Sequence, residues 1–352
     1  MEKNCKVCVT GSTGYIGSYL VKKLLDKGYT VHATLRDLST LFLTLSAISL
    51  LENESKVRLL KGLPHSEGKL LLFEADIYNP IDFEPAIQGC QFVFHVATPL
   101  AHEAGSQYKD SSEASLAGIK SIMMACERAG TVRRLIYTAS VVSASPFKDH
   151  QSGFNDFMDE TSWTPLNDSF AYLFLDHYHK DYVYSKTLAE KYILSYRKNE
   201  NGEGLEVVTL PCGLVGGDTL QSFTPGSVGV LISQVTHNEN AFKSLQFLEN
   251  LLGKIPLVHV DDVCEAHIFC IENDSISGRY LCASSFISSK DIEDYYALHY
   301  PEFNVKQGNV DVVKKDIKWT STKLCDKGFV YKYDTKMILD DSIKCARRVG
   351  DI

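Results

Sequence analysis

Tyr182, Lys186 and Ser140 are side chains that together could move a proton and steady a growing negative charge. Tyr182 and Lys186 bracket the run Tyr182-Val183-Tyr184-Ser185-Lys186. On a helix this spacing puts both on one face. A phenol with a pKa of about 10 is a weak acid near neutral pH. An ammonium beside it favours the phenolate, so the pair predicts a lowered pKa for Tyr182. Ser140 follows the run Arg134 to Thr138, which reads as a strand, and its hydroxyl can bond a carbonyl oxygen. Tyr184 competes as the phenol, but it stands two residues from Lys186 and faces elsewhere on a helix.

A second constellation lies near the start. Thr10-Gly11-Ser12-Thr13-Gly14-Tyr15-Ile16-Gly17 joins the apolar strand Val7-Cys8-Val9 to a helix beginning about Tyr15. Glycines there let the backbone turn tightly and approach a pyrophosphate, and the helix start supplies free N–H groups and a positive dipole end. That placement, between first strand and first helix, points to a dinucleotide. The next strand ends Leu35-Arg36-Asp37. An acid at the Leu35 position would hold the ribose of NAD, whereas Arg36 suits the 2′-phosphate of NADPH. Asp37 would argue for NAD, but it reads as pointing into the following turn. Asp76-Ile77, after the third strand, offers a carboxylate for an adenine amino group and an apolar neighbour for its ring; Asp76 bonding its own loop is the alternative. Lys186 can in addition bond the nicotinamide ribose.

The elements that must carry these groups alternate. Helical spacing of Ile16, Leu20 and Leu24 ends at Gly28, a helix C-cap. Strands follow at Thr30–Leu35, Lys69–Phe73, Phe92–Val96 and Arg134–Thr138, with Asn79-Pro80 opening one helix and a long helix over Ser112–Ala129. This βαβα order predicts an α/β, Rossmann-type doubly wound parallel sheet. A helix is expected over Tyr178–Lys198 and a strand over Val207–Leu210. The expected division is a cofactor domain over 1–213, with about 261–283 folding back onto it, and a smaller mixed substrate region over 214–352.

Composition narrows the function. Lys plus Arg total 36 and Asp plus Glu 44, giving a net charge of −8, without the basic footprint of a nucleic-acid binder or an anionic-membrane binder. Hydrophobic residues make up 44%, which argues against disorder. The longest apolar run, Leu41–Leu51, falls short of the ~20 residues that span a bilayer. The ten cysteines follow no metal or disulfide spacing, and Cys5 and Cys8 lie in a strand rather than at a helix start. With no leader read at the N-terminus, reduced thiols in a cytoplasmic protein are expected. His259, Asp261, Asp262 and His267 invite a metal reading; the plainer one is that Asp261 or Asp262 caps a helix running towards Ile271.

The order of glycine turn, serine, then Tyr-x-x-x-Lys resembles the short-chain dehydrogenase/reductase superfamily. The runs Val9–Ser18, His95-Val96-Ala97-Thr98-Pro99, Tyr184–Glu190, His259–Val263, Gly278-Arg279-Tyr280, Lys323-Leu324 and Gly328-Phe329 look like the plant dihydroflavonol reductase and anthocyanidin reductase family. That resemblance covers nearly the whole chain and implies an extended, metal-free reductase using NADPH. It implies cofactor contacts at Gly11, Thr13, Gly14, Tyr15, Ile16, Gly17, Arg36, Asp76, Ile77, Val96, Ala97, Thr98, Tyr182, Lys186, Pro211 and Gly213. Substrate contacts are expected at Pro99, Val141, Ser145 and Thr224, with the aromatic-rich loop 146–179 and the segment Thr224–Gly229 completing the wall. The partner is then a small aromatic molecule, and the protein a monomer or weak dimer.

The chain also departs from that family. Thr40 to Ser55 looks inserted. Ala117 stands where relatives carry an amide that aids a proton relay, and Ser145 where dihydroflavonol reductases place an asparagine. The run Phe174–His179 is unusual. Anthocyanidin reduction is the nearest activity, with dihydroflavonol 4-reduction or another carbonyl reduction beside it. A cinnamoyl-CoA reductase lacks support because its signature around the tyrosine is absent. A non-catalytic NADP sensor would be expected to lose the tyrosine or lysine, and a nucleotide-sugar epimerase to carry an acid at Leu35.

Overall fold

The computed structural model describes residues 5–36, 47–98, 105–148, 153–166, 177–196, 204–307 and 317–352. Five parallel strands open the chain: β1 (Lys6–Thr10), β2 (Thr30–Leu35), β3 (Leu70–Glu74), β4 (Phe92–His95) and β5 (Arg134–Ser140). After the short β6 (Phe157–Met158) come β7 (Glu206–Cys212), β8 (Leu214–Gly216), β9 (Ile255–His259), β10 (Gly278–Arg279), β11 (Ser285–Ile287) and β12 (Lys318–Trp319). One sheet runs β10-β7-β5-β4-β1-β2-β3. The order reverses at β1, the switch point beside which α/β sheets bind ligands. A smaller sheet, β11-β9-β8, and the pair β12-β6 complete the strands among the described residues.

Helices α1 (Tyr15–Asp26), α2 (Ala47–Lys61), α3 (Phe83–Ile87) and α4 (Ser111–Ala129) connect the first strands. α1 buries Leu20, Val21, Leu24 and Leu25 on one face, and Gly28 closes it at φ 86°. Asn79-Pro80 starts a 3₁₀ turn, Pro80–Asp82, rather than α3 itself, which begins one turn later at Phe83. Of the segment read as inserted, the described part enters α2, and the rest lies outside the described residues. Beyond α5 (His177–Ser195), the chain forms α6 (Gly226–Leu231), α7 (Ser233–Thr236), α8 (Glu239–Leu252), α9 (Val260–Glu272), α10 (Ser289–His299), α11 (Lys323–Asp326) and α12 (Thr335–Val349). No described helix is long and apolar enough to cross a membrane.

The chain divides into two compact units. One takes residues 1–138, 188–209 and 264–278; the other takes 139–187, 210–263 and 279–352. This partition differs from the expected one. The segment 139–187, with the Ser140 and Tyr182 groups, packs with the second unit instead of staying with the strands that precede it. The reason is side-chain packing that strand order does not report: Val141, Val142, Ala144 and Val183 share a core with Phe247, Leu251, Leu252, Leu281 and Ile317.

Arg279 holds that region from inside. Its guanidinium is buried, donates to the carbonyls of Glu160, Ser162 and Ser143, and lies 3.7 Å over the Trp163 ring. Lys323 donates to the Arg279 carbonyl at 2.7 Å and sits over Tyr280. Replacing Arg279 by Met keeps the stem and strands those carbonyls. Hydrogen bonds to a charged group are each worth about 1.5–3 kcal/mol. Arg279→Met should therefore lower the denaturant midpoint with an unchanged m-value; an unshifted midpoint would show that the carbonyls find other donors.

Candidate active site

In the first unit, the turn between β1 and α1 is built around Gly11. Its φ of 65° suits glycine, and a Cβ there would stand 2.9 Å from the Ala97 backbone. The Gly14 amide donates back to the Gly11 carbonyl at 3.1 Å. A Cβ on Gly17 would come within 2.2 Å of that same carbonyl oxygen, so helix and turn touch backbone to backbone. The four other long helices with described caps, α4, α8, α10 and α12, are capped by side chains of Asp110, Asn238, Ser288 and Asp334. At α1 the cap is Gly14, with no side-chain bond, and the first turn carries no acid. An anion therefore meets open N–H groups there. Thr13, Tyr15 and Ile16 are half-buried around this turn. These features fit a dinucleotide pyrophosphate.

Thr10 and Ser12 hold the turn in place, and motif reading passed over both. Ser12 is buried and sends both its amide and its hydroxyl to the Thr34 carbonyl, tying the turn to the end of β2. The Thr10 hydroxyl accepts the Val96 and Ala97 amides, each at 3.1 Å. Its single hydrogen then goes to His95 Nδ1 at 2.9 Å, which fixes the tautomer of that buried imidazole with its proton on Nε2. Thr98 follows, half-buried; Pro99 and Asp37 lie outside the described residues.

Arg36 is exposed, pairs with Asp76 at 3.3 Å and lies 5.9 Å from the Tyr78 ring centre. Asp76 also accepts the Tyr78 amide at 3.0 Å, so its carboxylate serves its own loop as well as Arg36. Ile77 is buried, and its side chain fills the space left by Gly118 on α4.

In the second unit, β5 ends at Ser140 and α5 presents Tyr182 and Lys186. Ser140 is the side chain that favours the Tyr182 phenolate. Lys186 is buried one turn further along α5. The lowered phenol pKa expected from Tyr-x-x-x-Lys is not what this structure shows. Burial dominates and pushes Tyr182 up to about 12, with Ser140 pulling the other way. Such a phenol is fully protonated at neutral pH and still transfers downhill to an alkoxide, which is more basic. Tyr184 donates instead to the Leu166 carbonyl at 3.0 Å. Pro211 and Gly213 are buried around the end of β7, where Pro211 accepts the Cys282 amide and Gly213 donates to the Cys282 carbonyl.

The substrate-side residues part ways. Val141 is buried in the apolar core. Ser145 is buried too; its hydroxyl donates to the Leu251 carbonyl and accepts the Phe147 amide. The expectation that Ser145 faces a substrate is thus corrected: its one hydrogen is committed to the wall. Thr224 differs, with a buried hydroxyl oxygen that lacks a hydrogen-bond partner among the described residues. The residues that invited a metal reading are each engaged. His259 stacks on Tyr333 and accepts the Asp261 amide, so the imidazole, not an aspartate, caps α9. Asp262 instead accepts the amides of Lys332 and Tyr333, and His267 bonds Thr138.

Residues 7–283 match the NAD dependent epimerase/dehydratase family. The chain belongs to that family. Within it, this oxidoreductase falls among the plant dihydroflavonol and anthocyanidin reductases. It is 33% identical over 347 residues to an anthocyanidin reductase ((2S)-flavan-3-ol-forming) of Vitis vinifera, covering 97% of this chain and 95% of that one. It is 34% identical to a dihydroflavonol 4-reductase of Arabidopsis thaliana, covering 98% and 83%. The solved structure of vestitone reductase from alfalfa (Medicago sativa L.) matches with a TM-score of 0.73 and 29% identity, covering 99% of both chains.

Proposed function

We propose that this oxidoreductase uses NADPH to reduce a flavonoid-like or other aromatic ketone substrate, with anthocyanidin reduction as the nearest activity. Ser140 at the end of β5 and Tyr182 on α5, one turn from the buried Lys186, carry the reading, since they offer a donor and a proton source for an oxygen that gains charge. When bound, NADPH supplies the hydride. Ser140 orients the substrate oxygen and Tyr182 gives it a proton. Lys186 holds the nicotinamide ribose and favours the phenolate left behind. A cytoplasmic monomer or weak dimer belongs to the same reading. Incubation with NADPH and a panel of flavonoids, phenylpropanoids and alkaloid ketones tests it. NADPH oxidation with a flavonoid supports the proposal; oxidation with none of the aromatic compounds overturns it. Dihydroflavonol 4-reduction is the second reading, favoured by the similarity to the Arabidopsis enzyme.

Arg36 is the proposed reader of the 2′-phosphate. Arg36→Ala removes a charge-assisted pair to phosphate. The KM for NADPH should rise far more than that for NADH, and equal changes would sink the assignment. Thr224 is the proposed polar contact to the substrate, because a buried hydroxyl left unpaired costs about 1–3 kcal/mol that a ligand can recover. Thr224→Val should raise the KM for a hydroxylated flavonoid by roughly tenfold and leave the KM for NADPH alone. An unchanged flavonoid KM would remove Thr224 from the site.

A further inference from the structure

The segment that carries Thr224 is held on both sides by α12. Before it, β8 ends at Gly216, whose backbone lies so close to α12 that a Cβ there would stand 2.7 Å from Ile338 and 2.8 Å from the Ser342 hydroxyl. Ser342 is fully buried; it accepts the Gly217 amide at 2.9 Å and donates to the Ile338 carbonyl at 2.7 Å. One residue on, the Arg348 guanidinium donates to Asp218 from Nε at 3.1 Å and from Nη2 at 2.6 Å, and Nη2 also reaches the Thr219 carbonyl. Thr219 is buried, and its hydroxyl accepts the Gln221 amide at 3.1 Å. After Thr224, α6 sends Leu231 into the same core as Ile338, Leu339 and Ile343 of α12. Between these anchors stand Phe223, 53% exposed, and the buried Thr224 hydroxyl oxygen.

We propose that Arg348 and Asp218 are positioning residues for the substrate, resting on the reading of Thr224 as its polar contact. An exposed ion pair adds little to stability, and these two side chains are about half exposed, at 47% and 45%. Their effect is geometric. One planar guanidinium grips a carboxylate and a carbonyl of consecutive residues, which fixes the direction in which the chain leaves towards Phe223 and Thr224. Arg348 acts through that segment and not on the reacting atoms. The proton-transfer groups Ser140, Tyr182 and Lys186 ride on β5 and α5, elements that α12 does not hold through these bonds. Loosening the grip should therefore weaken substrate binding and spare the chemical step.

The test uses the full chain with NADPH and two probes, a dihydroflavonol and an anthocyanidin. Arg348→Met keeps the stem and removes the fork; Asp218→Asn keeps the shape and removes the opposite charge. Each should raise the KM of the flavonoid that is turned over by roughly three- to fivefold, the upper end of what an exposed ion pair supplies. The kcat and the KM for NADPH should stay native. Arg348→Lys, which keeps the charge, should recover most of the flavonoid KM. Thr224→Val combined with Arg348→Met should cost little more than Thr224→Val alone, since both act at one contact. A native flavonoid KM in both Arg348→Met and Asp218→Asn would overturn the proposal, as would a loss confined to kcat, the mark of less folded enzyme. Thr224→Val in parallel separates the two ideas. If it alone raises the flavonoid KM, positioning by α12 fails; if it leaves that KM native while Arg348→Met raises it, the reading of Thr224 fails and the proposal with it. Turnover of neither probe by the native chain overturns the flavonoid reading on which both depend.

Discussion

Tyr182→Phe is expected to lower kcat for a ketone substrate by about a hundredfold or more, the usual cost of losing a positioned acid. The substitution deletes one hydroxyl and keeps the ring that packs on the Val141, Phe247 and Leu251 core. NADPH should still bind, as read by nucleotide fluorescence, so the loss falls mainly on kcat. Ser140 remains as the single donor to the growing oxygen charge, and Ser140→Ala should add less on top of Tyr182→Phe than it costs alone. A cationic flavylium substrate changes the expectation. Hydride then attacks the ring directly, proton delivery matters less, and Tyr182→Phe becomes mild. The ratio of the two losses reports which substrate class the site serves. Full ketone reduction by the variant would mean that the proton comes from elsewhere.

The second large effect is expected at Gly17. An alanine methyl there would have to occupy a point 2.2 Å from the Gly11 carbonyl oxygen, so backbone must shift. The shift would break the approach of α1 to the turn and disturb the Gly14 amide bond to Gly11. Local strain of about 1–3 kcal/mol corresponds to roughly a fivefold or greater loss of NADPH affinity. Gly17→Ala should therefore raise the Kd for NADPH at least that much and lower the melting temperature. Gly226→Ala is the control, because a Cβ there meets nothing within 4 Å. A Gly17→Ala protein that binds NADPH as the native chain does would show that the turn is not the pyrophosphate cradle.

Local patterns wrote the first unit plainly. The second strand runs Thr30–Leu35 as its β-branched and apolar residues indicate, and the first helix begins at Tyr15, directly after the glycines. What escaped reading depends on residues far apart in the chain. Ser145 looked available until its hydroxyl met the Leu251 carbonyl, 106 residues away. Asp262 looked like a helix cap, yet it is spent on amides 70 and 71 residues on. His259 capping α9 is local, but imidazole is an uncommon cap and carries no sequence signal. The Tyr182 phenol illustrates the limit in energetic terms. The lysine four residues later predicts one direction, and only the surrounding burial reverses it.

The interleaving of the two units has a consequence for synthesis and for engineering. The chain passes from one to the other after residues 138, 187, 209, 263 and 278. A nascent chain emerging from a ribosome has most of the parallel strands early, but the unit holding the glycine turn is not complete until residue 278 is out. The proposed proton-transfer residues Ser140, Tyr182 and Lys186 all ride on the single excursion 139–187. Transplanting specificity between relatives by exchanging one contiguous half would therefore cut through both units. Grafting 139–187 together with 210–263 and 279–352 is the swap that respects the joints.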